Sequence, residues 1–243
     1  KKTTYQAARR VCRYSIKVPR MQITNMHCSG QTVSLAAGDY HATIVTVGAG
    51  LAELTFQGCH LVIPHKPEEM PLAHLGKVLI PWPNRIANGC YRYQGQEYQL
   101  PINEHGSKAA IHAWRDWQIS ELTATSVTLT AFLPPSYGYP FMLASQVVYS
   151  LNAHTGLSVE IASQNIGTVA APYGVGIHPY LTCNLTSVDE YLFQLPANQV
   201  YAVDEHANPT TLHHVDELDL NFTQAKKIAA TKIDHTFKTA NDL

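Results

Sequence analysis

The sequence has little charge. Only 14% of its 243 residues are Asp, Glu, Lys or Arg, and the formal net charge is -1. A balance this neutral gives no broad basic surface for nucleic acid or anionic lipid. Lys1, Lys2, Arg9, Arg10, Arg13, Lys17 and Arg20 are the densest basic stretch. They are too sparse for a nucleic-acid arm, and residues 1–22 read as a leader or poorly ordered segment. No run approaches the roughly 20 apolar residues of a membrane span. The N-terminus also lacks an apolar stretch followed by a small-residue cleavage site, so no secretory signal is expected. Five dispersed cysteines, none in a C-x-x-C pair, fit a reduced cytoplasmic protein and not a disulfide framework. The 13 histidines form neither H-E-x-x-H nor a Cys/His zinc spacing, so no metal is expected.

Helix signals are scarce as well. Segments 66–74 and 213–218 are the best candidates, and both are short. Strand signals dominate. Tyr40 to Val47 alternates and is rich in β-branched residues, and Leu51 to Phe56 and His60 to Ile63 follow. Tyr91, Tyr93, Tyr98 and Leu100 flank Gln94-Gly95-Gln96, the pattern of a hairpin with aromatic residues on one face. Segments 117–122, 126–133, 141–151 and 157–164 read as consecutive antiparallel strands separated by turn-rich breaks. Segments 191–195 and 199–203 continue the pattern. No repeat or linker interrupts it. The expectation is all-β, a large antiparallel sandwich or barrel, with residues 23–243 as a single domain.

Four polar sites stand out from this β background. The first is Pro172-Tyr173-Gly174-Val175-Gly176-Ile177-His178-Pro179-Tyr180. Its glycines permit unusual backbone angles and close approach by another group, and Pro179 biases His178 toward extended backbone. An imidazole fixed this way suits proton transfer near neutral pH. By itself it reads more readily as a structural histidine at a strand end, and the functional case comes from its companions. The second is Pro81-Trp82-Pro83-Asn84-Arg85-Ile86, in which prolines stiffen a loop presenting a guanidinium fork. The third is His112-Ala113-Trp114-Arg115-Asp116-Trp117, which mixes aromatic faces for sugar C–H groups with polar groups for hydroxyls. The fourth is Ile233-Asp234-His235-Thr236-Phe237, where Asp234 could accept hydroxyls or orient an imidazole. The plain readings are an ion pair for Arg85, a core cluster for the tryptophans and a turn residue for Asp234.

Asn84-Arg85-Ile86, Ile111-His112, Gly176-Ile177-His178-Pro179-Tyr180 and Ile233-Asp234-His235-Thr236-Phe237 occur in the order and approximate spacing of the aldose 1-epimerases, or galactose mutarotases. Asn165-Ile166-Gly167 with Pro172 also resembles that family. The resemblance covers roughly residues 30 to 240, and its strength lies in four motifs in order. It implies a galactose mutarotase-like β-supersandwich and interconversion of the α and β anomers of a free aldose by acid/base ring opening. It implies His178 as the general acid, with His112 assisting on the ring-oxygen side. Asn84, Arg85 and Asp234 would hold the monosaccharide. No cofactor is implied, and the chain is expected to be a monomer or homodimer without nucleic-acid or membrane partners.

One departure bears on activity. The family's glutamate base lies in a strand well beyond the Asp-His segment, and no Glu follows Glu217 here. The expected domain is therefore C-terminally incomplete, lacking the family's C-terminal strands. The alternative is a non-catalytic carbohydrate-binding relative. A cupin-like metal centre built from His112, His178 and His235 is a further reading from a different class. A phosphosugar substrate is disfavoured, because no extra Arg or Lys cluster accompanies the motifs.

Overall fold

A computed structural model describes residues 27–102 and 113–239. Strands β1 (Thr32–Ala37), β2 (Tyr40–Val45), β3 (Gly50–Phe56) and β4 (Cys59–His60) form an antiparallel sheet in chain order. β5 (Val78–Leu79) follows, then the hairpin β6 (Cys90–Tyr93) and β7 (Gln96–Gln99). Gln94 and Gly95 both have positive φ at its turn, as a twisted two-residue connection demands. β8 (Gln118–Leu122), β9 (Ser126–Leu133), β10 (Leu143–Asn152) and β11 (Gly156–Asn165) form a second antiparallel sheet. β12 (Gly176–Ile177) returns to pair with β5. β13 (Leu192–Phe193), β14 (Ala197–Val203), β15 (Pro209–His214), β16 (Lys226–Lys227) and β17 (Phe237–Thr239) complete the described chain, with β14 between β15 and β17 and β13 beside β16.

The two larger sheets pack face to face because their strands alternate. Val33, Leu35, Ala42, Ile44 and Leu51 from the first meet Val127, Leu129, Val147, Tyr149 and Leu151 from the second. Each Val, Leu or Ile among them contributes about 1.5–3 kcal/mol on burial. A second cluster, around Leu100, Leu133, Tyr139, Phe141 and Leu143, gathers the aromatic face of the β6–β7 hairpin together with Trp82 and Ile86. A third, around Val200, Val215, Leu220 and Phe222, belongs to the C-terminal strands.

The all-β expectation holds, and the two helical ones do not. Segment 66–74 contains a 3-10 turn at Leu72–His74 and no α-helix. Pro67 and Pro71 each remove a backbone donor within that window. Residues 213–214 close β15, and the following turn is held by side chains: Glu217 accepts from the His214 amide at 3.1 Å and bonds His213 Nδ1 at 3.0 Å. Such local bonds compete with helix. β4 is also shorter than the strand expected over 60–63. Among the described residues no helix is long and apolar enough to cross a membrane. The leader expected over 1–22 lies outside the described residues.

One hydrogen bond ties the second sheet to the β2–β3 connection. The buried Tyr149 hydroxyl donates to the Ala49 carbonyl at 2.7 Å, and burial pushes this phenol up from its ordinary value. Tyr149→Phe is expected to lower stability by about 1–3 kcal/mol in urea unfolding, because the Ala49 oxygen is left unpaired. An unchanged midpoint would show that water replaces the hydroxyl.

Candidate functional site

The His178 segment is clamped from both sides. After β11, the Asn165 side chain bonds the Gly167 amide and the Val169 carbonyl, turning the chain back. The Pro172 carbonyl accepts from the Tyr139 hydroxyl at 2.8 Å, and the Gly174 amide donates to Pro81 O at 2.6 Å. β12 then pairs with β5. The His178 amide donates to Lys77 O at 3.0 Å, and its carbonyl accepts from the Gly76 amide at 2.8 Å. Two residues later the segment changes partner. Tyr180 O accepts from the Ile63 amide, and the Thr182 amide donates to Leu61 O. The His178 ring is half-buried, 5.4 Å from that of Tyr180. Its Nδ1 is enclosed with no hydrogen-bond partner among the described residues.

Close approach, and not unusual backbone angle, explains the glycines. Neither Gly174 nor Gly176 has positive φ. A Cβ on Gly176 would lie 2.6 Å from Pro83 Cβ, and one on Gly174 would lie 3.4 Å from Pro83 Cδ. The missing side chains let the Pro81–Pro83 loop sit directly against the strand leading to His178. Trp82 anchors that loop against Tyr139 (centroids 5.5 Å, edge-on) and Tyr91 (5.9 Å). Asn84 follows, and its Oδ1 accepts from the Arg85 amide at 2.7 Å. The exposed Arg85 makes no ion pair among the described residues. Asn84 and Arg85 thus follow directly on the prolines that pack against the strand leading to His178.

A lysine not foreseen from the sequence lies beneath this region. Lys77 is fully buried, and its Nζ donates to Val47 O at 2.8 Å and sits 4.5 Å from the Trp114 ring centroid. Burial pushes its pKa down to about 8. His65 is also held below its ordinary value, first by burial, with the Lys77 charge adding to the effect. The local sequence signal was weak: a lysine next to Val78-Leu79-Ile80 reads as the solvated start of a strand.

Asp234 is not bonded directly to the other candidates among the described residues. It follows Ile233, which packs on the third cluster, and it is exposed. Its amide bonds His235 Nδ1 at 3.2 Å, and no hydrogen bond or ion pair joins its side chain to Asn84, Arg85 or His178. His112 lies outside the described residues. The metal-centre reading of His112, His178 and His235 therefore includes a residue outside the described ones; among the described residues no group of three His, Cys, Asp or Glu side chains could hold an ion.

Sequence comparison names the class of protein to which this β-sandwich belongs. Residues 31–243 match the aldose 1-epimerase family model, and the chain belongs to that family. Its fold is that of galactose mutarotases: it resembles galactose 1-epimerase from Lactobacillus acidophilus (TM-score 0.75, 18% identity, 87% of this chain and 70% of that one). It likewise resembles an aldose epimerase homologue from C. elegans (TM-score 0.74, 22% identity, 81% and 65%). Among individual proteins, the chain is 98% identical over 231 residues to one from Escherichia coli K12 named uncharacterized protein YihR, covering 94% of this chain and 75% of that protein. A probable aldose 1-epimerase from Arthroderma benhamiae is 26% identical over 156 residues, 56% of this chain and 36% of the fungal protein. The chain thus spans about a third of the fungal relative and 65% of the nematode one.

Two outcomes test the packing. Gly176→Ala forces a Cβ into the Pro83 ring and is expected to lower stability by about 1–3 kcal/mol in urea unfolding. A neutral result would mean that the loop yields freely. Lys77 bears on pH. Between about 8 and its ordinary 10.5, the unfolded chain keeps a proton on this amine that the folded chain has released, so this group's contribution to stability rises with pH. The stability of wild type relative to Lys77→Met is therefore expected to rise by about 1–3 kcal/mol from pH 8 to pH 10 in paired urea titrations. A flat difference would show that the amine stays charged.

Proposed function

We propose that the chain acts on a free aldose, interconverting its α and β anomers by acid/base ring opening. The observation that carries this reading is the clamped His178, held beside the loop that presents Asn84 and Arg85. His178 Nε2 gives a proton to the ring oxygen as the C1–O bond breaks, while the O1 hydroxyl loses its proton and C1 becomes an aldehyde. Rotation about C1–C2 and closure on the other face give the second anomer, and His178 takes its proton back. A positioned acid of this kind contributes about 10²–10⁴-fold. Arg85 and Asn84 hold hydroxyl groups, the guanidinium fork spanning neighbouring oxygens. His112 assists on the ring-oxygen side, and Asp234 accepts a hydroxyl. Family membership supports an epimerase of this class.

The proton on O1 needs an acceptor. Family resemblance gives that role to a glutamate beyond the Asp234 segment. In a second reading, the same residues bind a sugar without turning it over.

His178→Ala is expected to cut anomer exchange about 10²–10⁴-fold with an unchanged far-ultraviolet circular dichroism spectrum, measured by polarimetry on freshly dissolved α-D-glucose and α-D-galactose. Wild-type exchange in the variant would remove His178 as the acid. Sugar binding by wild type with no accelerated exchange would establish the binding-only reading.

A further inference from the structure

Burying a lysine without a carboxylate is costly. Lys77 has no acidic partner among the described residues, and the chain accommodates it through a second unfavourable choice. Gly48 has a φ of +77°, and a Cβ there would lie 2.8 Å from Lys77 Cδ, 3.0 Å from Lys77 Cγ and 2.3 Å from the Ala113 carbonyl. The glycine clears a channel for the lysine stem. At the end of that channel the ammonium meets one carbonyl, Val47 O, and one aromatic face, that of Trp114. Two locally unfavourable residues therefore share one result: a cation seated against a chosen indole.

That indole is not core. Trp114 is 41% exposed, with the His74 ring tilted beside it at 5.6 Å. An exposed tryptophan ordinarily samples several rotamers. This one is fixed from its inner side. The residue that fixes it also accepts the main-chain hydrogen bond of His178 at 3.0 Å. The β5–β12 ladder ends at the Val78–Ile177 pair, and the two segments stay joined beyond it: the His178 amide bonds Lys77 O, and the His178 carbonyl accepts from Gly76.

We propose that Lys77 is a positioning residue, holding the Trp114 indole beside His178 as the stacking wall for the pyranose ring of the aldose. This rests on reading the site as an aldose site. The C–H face of a pyranose carries slight positive charge and stacks on the negative face of an indole. Fixing the wall in advance removes an ordering cost from sugar binding, so the effect falls on affinity more than on the chemical step.

Wild type, Lys77→Met and Lys77→Arg are compared by NMR anomer exchange with D-glucose and D-galactose, and the Trp114 indole N–H resonance is followed through the same titrations. Lys77→Met is expected to raise KM roughly tenfold, with a smaller fall in kcat and a displaced or broadened indole signal. Lys77→Arg keeps a cation on the ring and recovers most of the loss. A folded Lys77→Met with wild-type KM and an unmoved indole signal overturns the proposal. If Lys77→Met does not fold, Trp114→Ala decides: a raised KM supports the wall, and an unchanged KM removes it. If wild type does not accelerate exchange, the epimerase reading fails separately, and the indole titration carries the test. A sugar-induced shift in wild type that is lost in Lys77→Met supports the proposal, and no shift in wild type overturns it.

Discussion

The short ladder between β5 and β12 is the constraint on which the site depends. Its two hydrogen bonds at His178 reach Gly76 and Lys77. They do more than hold one residue. Through Gly174 and Gly176 the same ribbon lies against Pro81 and Pro83, and so positions Asn84 and Arg85. Through the side chain of Lys77 it reaches Val47 and Trp114. Three segments distant in sequence are thereby referred to one pair of strands only two residues long. So short a ladder supplies little stability by itself. The main sandwich and the aromatic cluster around Tyr139 provide the rigid frame in which it can form.

The sandwich was legible because its strands are long and regular. β9, β10 and β11 alternate over many residues, and their expected limits fall within two residues of those observed. β1 carries the same alternation, with Val33 and Leu35 inward, yet it escaped notice beside polar neighbours. The two-residue strands left no periodic signal, since their pairing is decided by tertiary approach. The helical expectations failed where proline and side-chain-bonded turns outweighed a weak period.

The site was legible where rigidity is written into residue type. Proline and glycine around His178 and Arg85 announce a constrained loop, and the structure explains them as one contact surface. Lys77 was not legible. Its burial is set by Gly48, which clears its path, and by Trp114, which covers its end. Neither is its neighbour in sequence. A charged residue identifies itself as buried only through partners that the fold supplies. Asp234 shows the converse: its motif is plain in sequence, but the structure joins it to none of its proposed companions.

The contact between Gly176 and Pro83 also carries an evolutionary consequence. With so little space between a hydrogen at one position and a ring carbon at the other, changes at the two sites cannot be independent. A larger residue at 176 becomes acceptable only after the ring at 83 is exchanged for something that can retreat, and that exchange frees the backbone that aims Arg85. The Pro81–Arg85 loop and the strand that carries His178 are therefore epistatically bound. A lineage that retunes one must pass through a compensating change in the other.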